Sequence, residues 1–259
     1  INNNGRIEYW FRRTLDHQDD YFAYESLSDT GLAILPIIHF FRGGANFSYP
    51  RIDDFDKDGR QDMVHNGGDG DNYFEAVAEY NPGTKTMLNV WRHPSVSSPV
   101  GHLWSVGDID RDWKMEFING HMKGIVFWYE YDGENDSYQQ VFFDTLFYHN
   151  AYFNTEGDDI DGDGRMEVFL SGAGYYQSIW SNFITCYERV GDNQYEKSVE
   201  LWVRGMGGCN ASYIKQADVD GDGVNELVWS AGNSVAIIKN IGDDEYEIWW
   251  YKHFKRDVG

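Results

Sequence analysis

Short runs of apolar and β-branched residues, interrupted every few positions by polar turns, dominate this chain, and no stretch keeps the three-to-four-residue spacing of an amphipathic helix. Residues 73–80, 125–131, 182–189 and 234–239 read as strands on their aromatic and β-branched content. Each is followed by hairpin punctuation, Asn81-Pro82-Gly83, Asp132-Gly133, Gly191-Asp192-Asn193 and Gly242-Asp243-Asp244, and then by a further strand. Upstream, Met63-Val64, Phe117-Ile118, Val168-Phe169 and Leu227-Val228 begin another strand that ends in small residues, such as Gly67-Gly68 or Ser171-Gly172. A short strand precedes that one, as in residues 212–217. Each unit therefore predicts four antiparallel strands.

One nine-residue pattern joins the first of these strands to the second in all four units. It runs from Asp54 through Asp56, Asp58, Gly59 and Arg60 to Asp62, and from Asp108 through Asp110, Asp112, Trp113 and Lys114 to Glu116. It returns as Asp159, Asp161, Asp163, Gly164, Arg165, Glu167 and as Asp218, Asp220, Asp222, Gly223, Val224, Glu226. Acids stand at positions one, three, five and nine. Hard oxygens at alternating positions converge if the backbone curls, with the carbonyl of position seven (Arg60, Lys114, Arg165 or Val224) as a further ligand. Such a cage suits Ca²⁺, which takes six to eight oxygens at about 2.3–2.6 Å. Ordinary Asp/Gly turns would not need the fourth acid at a fixed offset. Trp113 stands where the other loops have glycine, so the second loop is expected to bend differently or bind weakly. Three to four ions are expected.

The loops begin at residues 54, 108, 159 and 218, a spacing of roughly 50–60 residues that matches propeller blades and not short calcium-binding β-helix repeats. An EF-hand would need its last acid at position twelve and flanking helices. Radial repetition of four-stranded sheets makes a β-propeller.

These loops, and the apolar strand after each, resemble the FG-GAP/VCBS repeats, the calcium-bearing blades also found in integrin α-subunits. The likeness covers about residues 42–255, with Gly172-Ala173-Gly174 the nearest match to the family's Gly-Ala-Pro signpost. It implies a metal loop between the first and second strands of every blade. The expected organisation is one all-β propeller domain over 1–259, with calcium-loop blades at 42–94, 95–148, 149–205 and 206–259. Residues 1–41 form an atypical or partial blade, giving about five blades or part of a larger propeller.

Net charge is −22, with 43 acidic against 21 basic residues, a field that repels nucleic acid and anionic membranes. No segment has the roughly 20 apolar residues of a membrane span. The chain opens at Ile1, which points to a processed or excised N-terminus, and a secreted or cell-surface location is expected. Cys186 and Cys209 are either bridged or two buried thiols.

Aromatic residues make up 17% of the chain. Trp128, Trp202, Trp229, Trp249 and Trp250 lie on strands, where packing between blades is expected. Tyr175, Tyr176 and Trp180 fall in what reads as a long connection at the blade end opposite the metal loop. Asp69, Asp71, Asn72 and Tyr73 occupy the equivalent place in another blade. Aromatic faces beside polar groups suit sugar rings, and the alternative is aromatics that cap a blade. No His-Glu-x-x-His, Gly-x-Ser-x-Gly or phosphate loop is present, so no catalytic residue is assigned. His102 and His121, which flank the second loop, read as structural. The expected function is a calcium-binding module for a glycan or an extracellular protein. The rival is a polysaccharide-active enzyme, lyase or glycosidase, or its accessory domain.

Overall fold

A computed structural model describes residues 8–15, 18–28, 31–32, 38–42, 50–69, 72–94, 105–120, 124–134, 136–146, 150–154, 157–204 and 212–254. Among them twenty strands form five four-stranded antiparallel sheets, with no helix. The chain divides into two compact units, residues 1–99 with 131–138, and residues 100–130 with 139–259.

The first unit holds two sheets. In one, β1 (Glu8–Leu15) and β4 (Ile38–Arg42) both pair with β2 (Gln18–Ser28), which also pairs with β3 (Gly31–Leu32). The other is a meander of β5 (Arg51–Asp53), β6 (Asp62–Asp69), β7 (Asn72–Asn81) and β8 (Thr86–Pro94). Its core is Met63, Ala78, Tyr80 and Met87 with Ala23.

The remaining sheets are meanders as well. They are β9 (Ser105–Gly107) to β10 (Glu116–Gly120), β11 (Ile125–Tyr131) and β12 (Tyr138–Thr145); β13 (Asn150–Asn154) to β14 (Glu167–Tyr176), β15 (Ile179–Gly191) and β16 (Gln194–Arg204); and β17 (Ser212–Ala217) to β18 (Glu226–Ala231), β19 (Ser234–Gly242) and β20 (Glu245–His253). This repeated up-and-down sheet is the blade of a β-propeller, and the fold class is all-β of that type.

The inner strands are buried along most of their length because both faces are covered. Residues 116–120 of β10 and 167–174 of β14 are all buried, whereas β20 is mostly exposed. In the second unit, aromatic side chains fill the space between sheets. Trp128 on β11 meets Phe142 on β12 edge-on, at 4.8 Å and 85°, and Tyr187 on β15 at 5.2 Å and 71°. Phe169, Ile184 and Cys186 of one sheet pack with Ile214, Leu227, Trp229 and Ile238 of the next. Truncating a ring such as Trp128 would cost about 3–5 kcal/mol.

One expectation needs correction. Trp128 and Trp229 are buried, but Trp249 is 48% and Trp250 42% exposed, on β20, the edge strand of its sheet among the described residues. Cys186 is a buried free thiol, its pKa pushed well up by burial, while Cys209 lies outside the described residues.

Candidate metal centres

Each acidic loop links the first strand of a meander to the second, and one backbone device shapes it. Position six has a left-handed φ in every copy: +91° at Gly59, +96° at Gly164, +91° at Gly223 and +76° at Trp113. Position four is left-handed too, at Lys57, Arg111, Gly162 and Gly221. Glycine adopts this region without the steric cost that a Cβ brings. Trp113 therefore does not bend its loop differently, contrary to the sequence expectation. It takes the same turn with its indole 81% exposed, at a cost of about 1–3 kcal/mol of backbone strain.

Hydrogen bonds then aim the carboxylates. The amide of position six donates to Oδ2 of position one, from Gly59 to Asp54 (3.0 Å), Trp113 to Asp108 (3.1 Å) and Gly223 to Asp218 (3.0 Å). The amide of position two donates to the acid at position nine: Phe55 to Asp62 (2.9 Å), Ile109 to Glu116 (2.5 Å), Ile160 to Glu167 (2.6 Å) and Val219 to Glu226 (2.8 Å). One oxygen of each of these seven acids is thereby held. Asp54 Oδ1, Asp108 Oδ1 and Asp159 Oδ1 are buried and accept no hydrogen bond, and neither do Glu116 Oε1, Glu167 Oε1 and Glu226 Oε1.

In the second and third loops all four acids bring an oxygen within 4.8 Å of one another, as do Asp54, Asp56 and Asp58 in the first. Oxygens about 2.4 Å from a shared ion lie no more than about 4.8 Å apart, so this spacing fits Ca²⁺. Without a cation the arrangement is costly. Burial, with neighbouring carboxylates adding, pushes Asp62 up to about 8, Glu116 to about 9 and Glu167 to about 8. A buried carboxylate that accepts too few hydrogen bonds calls for a positive charge.

Two partner groups were not singled out from sequence. On the third strand of the first three meanders, Glu79, Glu130 and Glu188 lie directly across from Asp62, Glu116 and Glu167. The base at position seven reaches them: Arg60 to Glu79, Lys114 Nζ to Glu130 at 2.7 Å, and Arg165 Nη1 to Glu188 at 2.6 Å. The other partner comes from the following sheet. The Asn193 amide donates to Asp110 Oδ2 (2.7 Å), and the Asp244 amide to Asp161 Oδ2 (3.0 Å). Asn193 and Asp244 are both left-handed, in the turn between third and fourth strands, where short polar residues are tolerated. The strand register and these recurrent turn residues were the available sequence signals. The acidic loops thus also fasten one sheet of the second unit to the next.

Tyr175, Tyr176 and Trp180 are placed differently from expectation. No long connection exists there, because β14 and β15 join through a two-residue turn at Gln177 and Ser178, both left-handed. Tyr175 pairs with Trp180 across the strands, edge-on at 5.0 Å. Side chains alternate along a strand, so Tyr176 points to the other face, where it stacks on Trp202 at 4.9 Å with Arg204 beside it. The three residues share one hairpin tip but not one surface. That tip is at the far end of β14 from the acidic loop. Asp69 and Asn72 likewise pair, as the last residue of β6 and the first of β7. His102 and His121 lie outside the described residues.

Residues 159–229, from the first acid of the third loop to Trp229, match the family described as the FG-GAP-like repeat. No curated protein matches the chain. Among solved structures, Saccharomyces cerevisiae Sqt1 is similar at a TM-score of 0.55 and 11% identity, over 96% of this chain and 66% of its own. A putative 6-phosphogluconolactonase from Bacteroides uniformis gives 0.52 and 11% over 92% of this chain and 68% of its own. An exotype rhamnogalacturonan lyase is similar at 0.47 and 13%, over 92% of this chain and 54% of that enzyme. The chain spans about half to two thirds of these proteins, and at such identities the likeness bears on the fold alone.

Proposed function

We propose that this chain is a calcium-stabilised, extracellular β-propeller module that binds a glycan or another extracellular protein. One observation carries the calcium part: carboxylate oxygens that accept no hydrogen bond converge to ion-sized spacing in loop after loop. Ca²⁺ would be held by the acids at positions one, three, five and nine with the carbonyl of position seven. In neutralising them it would lock together the sheets that share the second and third loops. Its role is structural, stabilising the fold by about RT ln(1 + [L]/Kd) per site. Extracellular calcium modules work with weak sites, about 10⁻⁴–10⁻³ M, which suits partly exposed cages of this kind. The exposed Tyr175 ring, edge-on to a half-buried Trp180 at the end away from the acidic loop, supports the binding part. Elemental analysis with melting curves in chelator and in excess Ca²⁺ tests the first part, and a chain that holds no metal and melts identically in both refutes it. A glycan array with a polysaccharide-degradation screen tests the second: binding without turnover supports it, and turnover points to the enzymatic rival.

A further inference from the structure

The fourth loop departs from the other three at a residue outside the nine-residue pattern. Leu227 pairs with Ile238, so Lys239 is the next residue outward, across from Glu226. It occupies the place held by Glu79, Glu130 and Glu188 in the other meanders. Position seven of this loop is Val224, which has no charge to offer. The usual acid and base have therefore been replaced by a single base on the opposite strand.

That base points into the loop. Lys239 Nζ lies 2.6 Å from Asp220 Oδ2, 2.8 Å from Asp222 Oδ2 and 3.5 Å from Glu226 Oε1. The contact with position five has counterparts, since Lys114 and Arg165 also reach the acids at that position. The other two do not. Oδ2 of position three takes an amide of the following sheet in loops two and three, and here it takes the ammonium. Oε1 of position nine accepts no hydrogen bond in Glu116, Glu167 or Glu226, and it is the oxygen left for a cation. In the fourth loop its neighbour is a cation already, part of the protein.

We infer that the Lys239 ammonium takes the place of the metal in the fourth loop, so that this loop keeps its fold without calcium while the first three require it. The inference rests on the calcium reading of those three. An ammonium held by three carboxylates repels a divalent ion and occupies the oxygens it would use, so Ca²⁺ must displace the lysine before it can enter. Lys239 also forms one wall of an open groove of about 460 Å³ between the third and fourth loops, which leaves it room to swing away once its partners are lost.

Equilibrium dialysis of the intact chain against Ca²⁺, with the bound ions counted, tests this directly. Three ions are expected for the unaltered chain and four for Lys239→Met. The paired change Lys239→Glu with Val224→Arg, which rebuilds the arrangement of the other loops, is also expected to give four. Amide NMR of the unaltered chain needs no variant: Gly59 and Gly164 should shift on addition of Ca²⁺ while Gly223 stays in place. Four ions in the unaltered chain, a Gly223 amide that titrates with the other two, or no added ion in either variant overturns the inference and leaves the calcium reading intact. No ions in any form refutes both.

Discussion

In the second loop Asp110 is fully buried and its Oδ2 takes the Asn193 amide of the following sheet. In the fourth loop Asp218, Asp220 and Asp222 are exposed, and a lysine stands against the corresponding oxygens. The backbone turns are alike, with left-handed residues at positions four and six in both. The second loop achieves this with Arg111 and Trp113, the fourth with two glycines. Ease of turning and need for a metal are therefore separate properties. The first is set within nine residues. The second depends on what the third strand and the following sheet bring to the cage.

The largest effect that separates the two loops should come from the same substitution in each. Asp110→Ala removes a buried acceptor and leaves the Asn193 amide unsatisfied, and is expected to cost about 2–3 kcal/mol. Asp220→Ala loses an exposed pair with Lys239 and should cost under about 1 kcal/mol. Denaturant melts in saturating Ca²⁺ measure both, and equal or reversed losses would break the comparison.

Acidity supplies a second test. Asp62, Glu116 and Glu167 have pKa values raised to about 8, 9 and 8 in the metal-free fold, against roughly 4 when unfolded. Between those values the folded chain binds more protons than the unfolded one, so metal-free stability falls as pH rises from about 5 to 9. Bound calcium keeps the carboxylates ionised and removes that slope, while protons displace it at low pH. The gap between melting temperatures with Ca²⁺ and with chelator should therefore widen with pH. A gap that narrows towards pH 9 would count against metal in these cages.

A smaller change concerns the turn itself. Trp113→Gly relieves a left-handed bulky residue that is exposed to solvent and should stabilise the chain by about 1 kcal/mol. Gly223→Ala places a Cβ at φ +91° and should destabilise it by a similar amount. If Trp113→Gly destabilises instead, the exposed indole makes a contact that outweighs its backbone strain.

The smallest stability effect is expected at the opposite end of the blade. Tyr175→Ala at the hairpin tip loses an edge-on contact with Trp180, about 0.5–1.5 kcal/mol, and leaves the calcium content unchanged. An accompanying fall in affinity for a glycan found by array would place the ligand on the Tyr175–Trp180 face. The same fall from Tyr176→Ala alone would place it on the other.

Strand content, the four-strand unit and the nine-residue loops were legible in the residues because these are local matters. Alternation, turn dipeptides and acid spacing act over distances shorter than one hairpin. The two-residue turn at Gln177 and Ser178 was not legible, since neither residue is a usual left-handed choice and the strand pairing of Tyr175 with Trp180 holds it. Nor was the fate of Trp249 and Trp250, which depends on whether another sheet covers β20. The sequence by itself determined where four acidic cages form and which atoms line them. Only the tertiary structure decided what each cage meets: Glu130 and Asn193 beside the second, Lys239 against the fourth. The physical reason is that a carboxylate's demand for a cation depends on the charges within a few ångströms, and strand pairing brings those from residues far along the chain.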